Sequence, residues 1–165
     1  MLENDKIREA EFFYALAWDE ERKINDNLNR FKWFLSAFLS AARSVLQYAH
    51  KEAAGGGKPG GQLWYDTAMQ STVLQYFKEK RDVNLHAQPI DAIKEISLAI
   101  EESIWRDAMP PLPGLVGGPV TVTAGDKYKF ADWSGSEGIL TLCDAYLHEL
   151  RAFVLEGQGR PMLRG

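Results

Sequence analysis

Apolar residues return every three or four positions over most of the chain, the spacing that gathers them on one side of an α-helix. From Asp5 to about Lys23, Ile7, Ala10, Tyr14, Ala17 and Trp18 form one such stripe. Glu9, Glu11, Asp19, Glu20 and Glu21 fall beside it and are expected to face water. The cluster Asn25 to Asn27 then breaks the pattern with side chains suited to an N-cap. A second helix follows, with Leu28, Phe31, Leu35, Phe38, Ala42, Val45 and Ala49 on its buried face, and it should end near Ala54. Gly55 to Gly61 holds too much glycine, together with Pro59, for helix or strand and reads as a flexible connection. A third helix, from Gln62 to about Asp82, would bury Trp64, Ala68, Met69, Val73, Tyr76 and Phe77.

Beyond Pro89 the period shortens. Ile96, Leu98, Ile100 and Ile104 alternate with Ser97, Ala99, Glu101 and Ser103, as a half-buried strand would. Ile93, Ile96, Ile100 and Ile104 also fit a helix, so residues 92–105 stand open between the two, with strand the reading adopted. Met109 to Pro119 is proline- and glycine-rich and reads as an extended, irregular crossing. Val120 to Thr123 and Lys127 to Phe130, joined through Ala124-Gly125-Asp126, are expected to form a β-hairpin. Ser134 and Glu137 have capping-box spacing ahead of a last helix. Its apolar face is Leu140, Cys143, Leu147, Leu150 and Val154, widened by Ile139, Leu142, Tyr146 and Phe153. Gly157 is the natural stop. The fold class that results is mainly α: a four- to five-helix up-and-down bundle with a small antiparallel β-hairpin element inserted before the last helix. Residues 1–156 would make one domain and residues 157–165 a loose C-terminal tail.

Composition adds limits to this picture. The chain has 165 residues, long enough to bury about two thirds of the surface its unfolded form exposes. Five Trp, eight Phe and six Tyr supply the core generously, and the surplus is available for an interface. The single cysteine, Cys143, excludes an intrachain disulfide, and no Cys/His cluster has metal-ligand spacing. Neither a metal nor another cofactor is expected. The N-terminus shows no signal-peptide pattern and no run of 18 apolar residues occurs, so the expected place is the cytoplasm, away from membrane. Net charge is −4, so nucleic acid would have to be held by a local basic patch.

Such a patch exists at the end of the third helix, where Lys78, Lys80 and Arg81 stand among Glu79 and Asp82. Arg81 can grip phosphate through its planar fork, and His86 can exchange protons near neutral pH. On a continuous helix the two would lie about 140° apart, so they converge only if the helix loosens near His86. Pro89 favours that by disfavouring helical geometry at Gln88. The segment Arg81-Asp82-Val83-Asn84-Leu85-His86, at a helix end in a helical bundle, resembles the hallmark motif of the HEPN superfamily. The resemblance implies a metal-free endoribonuclease or RNA-binding protein, built as a homodimer with its site at the two-fold interface. It also implies roles: Arg81 stabilises the charge that develops on phosphorus, His86 assists proton transfer, and Lys80 and Asn84 are supporting substrate contacts. The competing expectation is a non-enzymatic module for self-association or for docking another protein.

Three other features read more plainly. Gly57-Lys58 is followed by Pro59 and not by Ser or Thr, which defeats a phosphate-loop reading. Arg43 and His50 repeat the Arg-to-His spacing in mid-helix, where ordinary packing and solvation are expected. Asp144, His148 and Arg151 share a helix face with no nucleophile beside them and should be solvated.

Overall fold

A computed structural model describes residues 2–55, 61–86, 90–94, 98–102, 120–124 and 127–159, with side chains for residues 3–51, 61–82, 90–94 and 127–157. Five helices carry the fold, α1 (Leu2–Arg22), α2 (Leu28–Gly55), α3 (Gly61–Ala68), α4 (Thr72–His86) and α5 (Ile139–Gly159). A small antiparallel β element precedes α5, formed by β1 (Ala92–Lys94), β2 (Leu98–Glu102), β3 (Val120–Ala124) and β4 (Tyr128–Phe130). The crossing expected over Met109 to Pro119, and the connection over residues 56–60, lie outside the described residues.

The helix starts have local causes. Asn27 caps α2, its Oδ1 accepting from the Asn29 and Arg30 amides at 3.0 and 3.1 Å, so one member of the polar cluster after α1 satisfies donors that a helix start leaves open. α1 and α2 run antiparallel: Tyr14 packs 6.3 Å from Phe38, and nearer the turn the buried Glu20 lies 3.6 Å from Arg30.

The single helix predicted over Gln62 to Asp82 is two helices. Met69 and Gln70 make a turn, and Ser71 then starts α4: its Oγ accepts from the Leu74 amide at 3.3 Å and donates to Glu149 on α5. Ser71 thus caps α4 and ties its start to α5, the kind of local side-chain bond that offers the backbone an alternative to continuous helix. The capping box predicted before α5 is also corrected. Glu137 accepts from the Trp133 indole at 2.8 Å, and the first α5 bond runs from the Leu142 amide to the Gly138 carbonyl at 3.1 Å. α5 continues through Gly157 to Gly159, three residues into the stretch assigned to a loose tail; residues 160–165 lie outside the described set.

The β pairing differs from the predicted hairpin. β3 pairs with β2 and β4 with β1, all antiparallel, and no sheet joins β3 to β4. The two pairs share one register: stepping six residues along from Ala92↔Phe130 gives Leu98↔Ala124, the first pair of the β2–β3 ladder. Strand, not helix, is therefore the state of residues 92–94 and 98–102. Ile96 and Ile104 lie outside the described residues.

One apolar cluster holds these parts together. Phe31, Leu35, Phe38, Ala42 and Val45 of α2 meet Ile7, Ala10 and Ala17 of α1, and the predicted face of α5 is buried from Ile139 to Val154. α5 touches α1, α2, α4 and β4, which gives its wide stripe a partner on each flank. From β4 the alternate residues Tyr128 and Phe130 point inward, Tyr128 onto Phe31 at 4.4 Å and Phe130 onto Phe77 at 6.0 Å. Each such large side chain removed from water stabilises the fold by ~1.5–3 kcal/mol.

Two expectations on α1 are reversed. Trp18 is exposed and carries the Arg22 guanidinium over its ring at 3.3 Å, whereas Glu20 and Glu21 are buried. Glu20 is held by Lys23 at 2.6 Å and by the Asn27 amide at 3.0 Å. Glu21 accepts from the Lys127 and Tyr128 amides at 2.9 and 3.0 Å. Asp26 completes the bracket, accepting from Lys94 at 2.8 Å and from the Tyr128 hydroxyl. The base of the β element is thus pinned to the α1–α2 turn by carboxylates.

Candidate functional site at the end of α4

α4 presents Lys78, Lys80 and Arg81 in directions set by its helical period, and the three cations part company. Phe77 points into the core, stacked on Tyr146 at 4.5 Å with the rings 4° apart. Lys80 also turns inward and is nearly buried. Its Nζ lies 2.5 Å from Asp132 Oδ1 and 4.7 Å from the centre of the Phe130 ring. Tyr76 donates to the same carboxylate oxygen at 2.9 Å. Burial pushes Asp132 upward, but the hydrogen bonds from Lys80 and Tyr76 outweigh it and hold the carboxyl below its usual range. Tyr76 shifts up, through burial first and its hydrogen bond to Asp132 second, so its hydroxyl stays protonated. Lys80 is therefore an internal member of a Tyr–Lys–Asp group, and it reaches substrate only by giving up Asp132.

Arg81 is partly exposed. Its Nη1 lies 3.2 Å from Asp82 Oδ1, next to it in the chain, while its Nε is buried without a hydrogen-bond partner among the described residues. Lys78 lines a different feature, an open cleft of about 420 Å³ at the α3–α4 turn, shared with Asp66, Met69, Gln70, Gln75 and Glu79. Charges of both signs border that cleft, so it does not concentrate anions. Asn84 and His86 belong to the last turn of α4, and their side chains lie outside the described residues.

Compared with protein-family models, with curated proteins and with solved structures, the chain matches none.

Cys143 is fully buried among apolar neighbours. Asp144 and His148 are exposed, and Arg151 pairs with Glu11 of α1 at 2.7 Å. Among the described residues no three His, Cys, Asp or Glu side chains are arranged to hold a metal, and no helix is long and apolar enough to cross a membrane. Sequence reasoning missed Asp132, a lone acid after a strand whose role depends on Lys80, 52 positions away. Arg43, expected to be ordinarily packed and solvated, buries its Nε and Nη1 with no hydrogen-bond partner among the described residues.

Proposed function

We propose that this chain is a self-associating interaction module in which Trp33 anchors the contact between two copies. The observation that carries the reading is the exposure of Trp33, 68% on the side of α2 opposite Phe31 and Leu35, in a bundle whose core is otherwise filled with aromatics. A tryptophan in water gives a partner a large, rigid apolar surface with one hydrogen-bond donor, which is why Trp is enriched at contact centres. Phe12, 59% exposed on α1, adds a second apolar side chain outside the core. Light scattering at micromolar concentration should return about twice the 18.6 kDa of one chain. Trp33→Glu should return the monomer mass with thermal unfolding almost unchanged, because an exposed position bears substitution at a cost of under about 0.5 kcal/mol. A wild-type monomer, or a variant that still dimerises, would overturn the reading.

A second reading keeps the HEPN-like expectation of metal-independent RNA cleavage or RNA binding. It is favoured by the unpartnered Nε of Arg81, a buried donor that a phosphate oxygen would satisfy. α4 is helical through His86, which leaves Arg81 and His86 of one chain about 140° apart. In a two-fold dimer Arg81 of one copy would therefore meet His86 of the other on one RNA strand, with Asn84 in support and Lys80 only once it leaves Asp132, and local positive charge would then offset the net −4. Arg81→Ala and His86→Ala should each abolish cleavage of a structured RNA in the presence of EDTA. Cleavage that persists in both variants, or that EDTA stops, sinks this mechanism.

A further inference from the structure

Lys80 and Tyr76 stand one turn apart on the same face of α4, and both donate to a single oxygen. That oxygen is Oδ1 of Asp132, 2.5 Å from the Lys80 ammonium and 2.9 Å from the Tyr76 hydroxyl. Two donors that converge on one point, one of them charged, make a receptor for one oxygen of a carboxylate or a phosphate. The chain's own carboxylate fills it.

The two sides of this contact are built differently. Lys80 is nearly buried, and its Nζ lies 4.7 Å from the centre of the Phe130 ring and 5.7 Å from that of Tyr76, so aromatic faces hold the ammonium in place. The rings are themselves fixed: Tyr76 packs 5.6 Å from Phe130 and 4.7 Å from Trp133, and Phe130 lies 6.0 Å from Phe77 in the core. Asp132, by contrast, has 60% of its side chain in water and belongs to the irregular segment between β4 and α5. A change of χ1 rotamer turns its carboxylate out to solvent without moving the backbone. The donors stay where they are, and the path by which Asp132 leaves is the path by which a ligand enters. Among the described residues no second acid pairs with Lys80, and a buried ammonium without a counter-charge is costly.

We infer that Lys80 and Tyr76 form a binding site for an oxyanion, a carboxylate or phosphate group, which Asp132 occupies as an internal competitor. The contact is autoinhibitory. An incoming group must displace a carboxylate tethered beside the site, whose effective concentration is on the order of millimolar. The inference rests neither on the contact surface at Trp33 nor on the catalytic roles of Arg81 and His86.

The test is thermal unfolding of the full chain, as wild type and as Asp132→Ala, titrated with inorganic phosphate and, separately, acetate, each against chloride at matched ionic strength. Without ligand Asp132→Ala should melt below wild type, because the ammonium has lost its counter-charge. One or both oxyanions should raise its melting temperature saturably, by about 5 to 10 °C at roughly a hundred times Kd. Wild type should need at least about tenfold more oxyanion for the same rise. Response to phosphate alone identifies a phosphoryl ligand, response to acetate alone a carboxylate, and response to both the shared chemistry. Asp132→Asn keeps the shape of the side chain and removes its charge; it should respond in the same direction, and it carries the test should the alanine variant fail to fold. Added to either variant, Lys80→Met should abolish the response, whereas Tyr76→Phe should weaken it by about tenfold in Kd, the loss of one hydrogen bond. No saturable rise beyond that given by chloride in the Asp132 variants, an equal rise in wild type at the same concentration, or a rise that survives Lys80→Met would each overturn the inference.

Discussion

Glu20, Glu21 and Asp26 lie within seven residues of one another, and all three carboxylates are withdrawn from water at the α1–α2 turn. Burial alone would push Asp26 up, but Lys94, the Tyr128 hydroxyl and the Lys127 charge hold it below the usual carboxylate range. The Lys23 ammonium lowers Glu20 against its burial, with help from the Asn27 amide and Arg30. A carboxyl whose folded pKa is depressed contributes its full stability above its ordinary value, about 4, and loses it as pH falls through the folded pKa. Urea midpoints should therefore drop between about pH 5 and about pH 2, and Asp26→Asn should flatten part of that drop. At neutral pH, Asp26→Ala should cost about 1–3 kcal/mol, since it strands the buried Tyr128 hydroxyl without its acceptor; a loss below about 0.5 kcal/mol would show that the bracket contributes nothing. None of this is legible in the sequence. A run of acids beside a helical stripe reads as a solvated face, and for Glu21 the partners that make burial affordable, the Lys127 and Tyr128 amides, lie roughly a hundred positions away.

At the level of elements, the apolar faces of α2 and α5 could be read position by position, because burial follows directly from a repeated spacing. Every predicted member of the α5 stripe, from Ile139 to Val154, is in the core. Leu147→Ala should accordingly cost about 2–5 kcal/mol by chemical denaturation. Boundaries were harder, because Ser71 and Ser134 look alike in the sequence while only the first caps a helix. What distinguishes Ser71 is Glu149 on α5, a tertiary partner with no local trace. Ser71→Ala should cost about 1 kcal/mol and speed amide exchange in the first turn of α4 ahead of the rest of that helix. Uniform exchange along α3 and α4 in that variant would mean that the break does not depend on Ser71. The strand pairing was missed for a related reason: Val120 to Phe130 contains a turn-like Gly125-Asp126, and nothing nearby announces that both of its halves pair with residues 92–102 instead.

For the whole molecule, the described contacts between the bundle and the β element gather around β1 and β4. Glu21, Asp26 and Asp132 make the polar contacts, and Tyr128 and Phe130 the apolar ones, all at the base formed by β1 and β4. The candidate site was legible only as far as its residue types. That Arg81, Lys80 and His86 stand close in sequence was plain, but whether a cation is free depends on its acids, and Lys80 is engaged by Asp132. The register shared by the two β pairs carries a consequence for how the chain tolerates change in length. Because both ladders count from the same base, the pairing of β1 with β4 beside the bundle is fixed by its own residues and not by the number of residues between Glu102 and Val120. Closing a connection of doubled length costs only about 0.6 kcal/mol more in chain entropy. A segment grafted between β2 and β3 should therefore leave the pairing of Ala92 with Phe130 and of Lys94 with Tyr128 as it is.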